Sequence, residues 1–300
     1  MLELYKRIWI VSGRSQILLI VLSIVIAGLA AVPLELQKEI VNGLTGSMQQ
    51  RTLLFLGAGY LGVLLLRNGL KFVLQYKSSL LSEGVIRRIR NRIYDEKGEE
   101  AQRGTVVEMI ASEAEEVGRF AGTAMAAPLM QLGTLVSVIG YIATAQPMLG
   151  AIMVAIVVPQ AAIAVAVQQR INERVAHRVK VLRRATHRIA AEDIDSAGAA
   201  VRNDFDEIYE ARRRVFLFKA SSKLAMNVLT ALGTAGILVL GGLLVIDGRT
   251  DVGTVVAALS GLARIAEPWR ELIAFYRDLS VVRIKFELLL TAQSQSAGIR

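Results

Sequence analysis

The chain has no cysteine among its 300 residues, which rules out disulfides and thiolate metal centres. Histidine is nearly as scarce. His177 and His187 lie far from any acidic cluster with ligand spacing, so no metal site is expected. Aromatics make up only 6% and proline occurs five times. No G-x-x-x-x-G-K-[ST] string occurs, and no glycine is followed by lysine. The loop and lysine that cradle nucleotide phosphates are therefore missing from this sequence, and the chain is not expected to be an ATP-hydrolysing enzyme or to bind a cofactor itself.

Apolar residues are abundant. The hydrophobic fraction is 53% with a mean hydropathy of +0.46, yet 20% of residues are charged. Both hold only if charge is kept apart from long apolar runs, and it is. Six runs approach the roughly 20 residues a helix needs to cross ~30 Å of hydrocarbon. They cover about 16–34, 53–76, 122–145, 148–168, 224–246 and 252–275. The first is too long for the h-region of a secretion signal and is read as a retained anchor. The net charge of +9 raises the question of nucleic acid, but its distribution answers it. Of the 35 Lys and Arg, 28 fall in segments on one side of these spans, and the other side holds Lys38, Arg51 and Arg249. That bias is the positive-inside rule, so both termini are expected in the cytoplasm of a multi-pass protein, with no nucleic-acid partner.

Residues 2–12 place Tyr5 and Trp9 four apart beside Lys6 and Arg7, a pattern suited to a short helix in the headgroup region. The segment 35–51 is polar, with Gly43 and Gly46 as turn formers, and is expected to be an outer loop. Gln146-Pro147 and Asp247-Gly248 mark two further turns. Inside, the second span runs on without proline through a basic continuation that keeps helical spacing at Val85, Ile89 and Ile93. A helix from about 53 to 98 would be roughly 70 Å long. Thr105 and Glu108 then form a capping box that opens a short helix. A second arm descends from the fourth span, is expected to turn near Asp195, Ser196 and Gly198, and returns to the fifth. Glu210 and Arg214 stand four apart on it in the favourable order.

Charges also lie within the spans. Arg67 and Lys71 share a face of the second, while Arg264, Glu267, Arg270 and Glu271 form a stripe on the sixth. Arg67 lies roughly 21 Å, and Arg264 about 18 Å, from the outer ends of their spans. Charges at such depth face a bundle interior, water or one another. Two readings stay open. One is local pairing of Arg264 with Glu267 and of Glu267 with Arg270. The other is a substrate cavity with net positive charge, formed by Arg67, Lys71, Arg264, Glu267 and Arg270 and suited to an anionic amphiphile, lipid phosphate or acidic peptide.

Three strings, 104–120, 190–216 and 241–290, resemble in order and spacing the transmembrane domain of ABC exporters (the type-1, or type IV, fold). The resemblance covers residues 1–290 and leaves 291–300 as a tail. It implies an all-α membrane domain of six transmembrane helices with two long cytoplasmic helical hairpins. Two such domains would pair as a homodimer or heterodimer in lipid, in a bacterial plasma (inner) membrane. Coupling to nucleotide-binding ATPase subunits would run through Thr105, Val106, Val107, Glu108, Met109 and Ile110 at one tip. Ser196, Gly198, Val201, Arg202 and Phe205 would serve at the other. ATP and Mg2+ would belong to that partner, whether a separate chain or a domain outside this sequence. The alternatives are a proton-driven carrier of the same fold, resembling peptide-uptake proteins, with Glu267 as its titrating carboxylate, and a non-transporting membrane scaffold.

Overall fold

The computed structural model describes residues 2–46, 48–97, 114–191 and 194–297. All regular structure among them is α-helical. The helices are α1 (Leu2–Gly28), α2 (Val32–Thr45), α3 (Gln50–Lys97), α4 (Ala114–Thr123), α5 (Ala126–Ala145), α6 (Pro147–Ala191), α7 (Ile194–Ile246) and α8 (Val252–Ala297). Five helical stretches are long and apolar enough to cross a membrane: Ser12–Thr45, Gln50–Asn91, Ala114–Ala145, Pro147–Thr186 and Gly198–Ile246. This is the build of a multi-pass integral membrane protein. The expected sixth span falls on α8, where the charges from Arg264 onward cut its apolar run short.

Local chemistry explains several departures from the expected boundaries. The segment 2–12 is helical, and non-helical angles at Ser12 (φ −138°, ψ 15°) separate it from the apolar part of α1. The anchor expected at 16–34 breaks at residues 29–31, because Pro33 in the first turn of α2 cannot continue a helix but readily starts one. Most of the expected outer loop is therefore helix α2, with Glu35 in its first turn where the helix dipole favours an acid. The turn expected at 195–198 is helix instead. Gly198 sits among alanines, and the left-handed backbone that would favour glycine occurs at Gly248 (φ 67°).

The chain divides into two compact units. The first comprises Met1–Ala151 and Ile237–Arg300. Here α3 runs antiparallel to α4: Ser78 Oγ donates to the Gly122 carbonyl at 2.8 Å and Ser82 Oγ to the Arg119 carbonyl at 3.1 Å. A Cβ at Gly122 would collide with the Ser78 backbone, so the glycine permits this close approach. On α1, Gln16 Nε2 donates to the Ala121 carbonyl (2.8 Å) and Ser23 Oγ to the Ala126 carbonyl (3.2 Å). An apolar cluster of Val85, Val117, Phe120 and Val282 lies alongside, with Tyr5 edge-on to Phe120.

The second unit is Ile152–Gly236, the greater part of α6 and α7. Its two helices are antiparallel, as the cross-helix contacts show by their order. Gln160 Nε2 donates to Thr230 Oγ1 (3.1 Å), and Arg170 stands 5.9 Å from the Phe218 ring centre. His177 Nε2 meets Glu207 Oε1 at 2.8 Å, and Arg184 reaches Asp204 at 3.1 Å.

Candidate functional site: a charged cavity in the first unit

Helix α3 shows how charge within a long apolar helix is tolerated. Along it, Tyr60, Val63, Leu64, Arg67, Leu70, Lys71, Leu74 and Ser78 are buried or half-buried, while the residues between them are exposed. That spacing is one helical face. Arg67 and Lys71 therefore turn toward the unit's interior, and Leu65, Leu66 and Phe72 turn to the outside.

Arg67, Lys71, Arg264 and Glu267 line one cavity of about 120 Å³. Leu64 on α3, Met130, Gln131, Thr134 and Val138 on α5, Pro268 on α8 and Ala30 complete it. Lys71 Nζ lies 3.6 Å from Glu267 Oε1, a pair between α3 and α8. Arg264 Nη2 donates to Tyr60 Oη at 3.3 Å. Arg67 Nε is fully occluded and has no hydrogen-bond partner. Three cations thus face one carboxylate, and that carboxylate pairs across helices with Lys71. Arg270 is exposed and lies outside the cavity lining. The structure thus brings Arg67, Lys71, Arg264 and Glu267 together around one cavity, without Arg270.

Sequence reasoning had not placed Tyr60 at the site, although its spacing from Leu64, Arg67 and Lys71 is the signal that finds it. Gln131 is only 9% exposed and lines the cavity. The residues expected at the arm tips fare differently. Thr105, Val106, Val107, Glu108, Met109 and Ile110 lie outside the described residues. Ser196, Gly198, Val201, Arg202 and Phe205 fall on the first turns of α7. Val201 is buried there and Phe205 half-exposed, while buried Asp204 between them is held by Arg184.

A second polar constellation joins α2, α5 and α8. Tyr141 Oη donates to Glu35 Oε2. Asn42 Nδ2 donates to Asp251 Oδ1 (2.8 Å), and Asn42 Oδ1 accepts from the Gly253 N–H (2.8 Å). Asp251 caps α8 by accepting from the Thr254 N–H at 2.6 Å. Burial works to raise the Asp251 carboxyl, but the bonds from Asn42 and Thr254 and the charge of Lys38 outweigh it and hold the pKa below the usual value. Reading 35–51 as a loop hid this constellation from sequence reasoning.

A scan of known protein-family models and a search of curated proteins find no match to this chain.

Proposed function

We propose that the chain is the membrane-spanning subunit of an ABC exporter-type transporter, moving substrate by alternating access and driven by ATPase domains on a separate chain. The observation that carries this reading is the continuity of α3, α6 and α7. They are 48, 45 and 53 residues long, apolar at one end and basic at the other. At 1.5 Å per residue each is roughly 70–80 Å, more than twice the hydrocarbon thickness. Rods of that length reach well into water and are suited to receive force there. Copurification from native membranes tests the reading. A stoichiometric ATP-binding partner is expected, and it should be lost when 105–112 are deleted and arm-tip residues 196–205 are replaced. Absence of any such partner contradicts the proposal.

The Lys71–Glu267 pair favours a second reading, a proton-driven carrier of the same fold, since it sets a carboxylate beside a lysine at the charged cavity. Transport that survives ATP depletion, collapses with an uncoupler and disappears in Glu267→Gln would select it over the first.

A further inference from the structure

We propose that the cavity between α3, α5 and α8 binds a phosphate monoester, which makes the transported substrate, on the transporter reading above, an anion of that class. Arg67 and Arg264 enter from two helices, and guanidinium forks match the oxygens of a phosphate better than any other side chain does. Arg67 Nε is occluded with its hydrogen bond unmet. Arg264 has a neutral hydroxyl as its partner on α3. Glu267 is engaged by Lys71, so it does not neutralise both guanidiniums. Gln131 and Thr134 supply polar side chains from the α5 wall. Arg67, Lys71 and Arg264 share the single carboxylate of Glu267, so positive charge is in excess, and charge within a membrane span is costly and ordinarily marks a functional pathway. Size narrows the choice. About 120 Å³ is well under the roughly 300–1,000 Å³ of pockets that enclose a drug-sized molecule. The cavity therefore seats a charged head while any tail lies outside it.

The test uses the purified chain in phosphatidylcholine nanodiscs, read by native mass spectrometry and thermal unfolding. Phosphatidic acid and glycerol phosphate are the probes, with added phosphatidylcholine, a zwitterionic phosphodiester of no net charge, as the comparison. Stabilisation by phosphatidic acid alone supports a lipid headgroup as the source of the phosphate; stabilisation by both supports a free phosphate ester. Arg67→Gln and Arg264→Gln should each weaken binding by about tenfold or more. The exposed control Lys219→Gln/Lys223→Gln should leave it unchanged. Glu267→Gln should tighten binding several-fold, an outcome that loss of folding cannot mimic. No preference for phosphatidic acid over phosphatidylcholine, indifference to both arginine changes, or weaker binding in Glu267→Gln would each overturn the proposal. None of these readouts needs an ATPase, so failure here leaves the transporter reading standing, and the copurification can fail without touching this one.

Discussion

Asn42 uses both ends of its amide to hold α8, donating to Asp251 and accepting from the Gly253 N–H. Asn42→Ala is expected to destabilise the protein by about 1–3 kcal/mol, since it leaves a helix-start N–H and a carboxylate short of partners. A lowered melting temperature in detergent would show it. Asp251 adds a pH dependence of known sign. Its folded pKa lies below 3.8, so its stabilising contribution is present above that value and is lost as pH falls through the folded pKa. Asp251→Asn should therefore flatten the acid limb of the stability profile; an unchanged limb would remove Asp251 from this role. Gly122 answers to sterics instead. Gly122→Val would push α4 off the Ser78 backbone and is expected to cost about 1–3 kcal/mol by the same measurement. At this scale the sequence was only partly legible. The spacing of Arg67, Lys71, Arg264 and Glu267 placed charge at one depth, but no spacing announces that Ser78 and Ser82 donate to the backbone of α4. Glu210 pairs with Arg213 at 3.3 Å, one residue short of the expected Arg214, as easily happens among exposed pairs worth little energy.

Whole elements were read more readily. α3 could be traced through its arm because no proline interrupts it and its apolar positions keep one face. The turns at Gln146-Pro147 and Asp247-Gly248 stand where their residue types put them, Gly248 with φ 67°. Helix α2 was missed because its polar residues resemble a loop, although Pro33 marks a helix start when read by position. The antiparallel pairing of α6 and α7 rests on contacts that no single-helix pattern encodes. It can be tested cleanly because the chain is free of cysteine. His177→Cys/Glu207→Cys should cross-link within one chain through a short bifunctional maleimide and resist tryptic separation. His177→Cys/Lys223→Cys, the second position roughly 24 Å along α7 from Glu207, should cross-link far less. Equal yields would contradict the pairing.

For the whole molecule, charge is tolerated because of where it is held. In the first unit, α8 buries Ala257, Ala258, Leu262 and Ile265 and directs Arg264 to the charged cavity, so a helix with a short apolar run packs one face against that unit. Composition foretold an all-helical membrane protein, and it could not foretell which face of α8 its neighbours in that unit would bury. The proposed mechanism further requires the basic arms to lie on one side of the bilayer and the Asp247–Asp251 turn on the other. Single cysteines at the exposed positions Arg212 and Arg249, labelled with a membrane-impermeant maleimide in intact spheroplasts, test that requirement directly. The account predicts that Arg249→Cys is labelled at once and Arg212→Cys only after permeabilisation. Labelling of both from outside, or the reverse order, would contradict it.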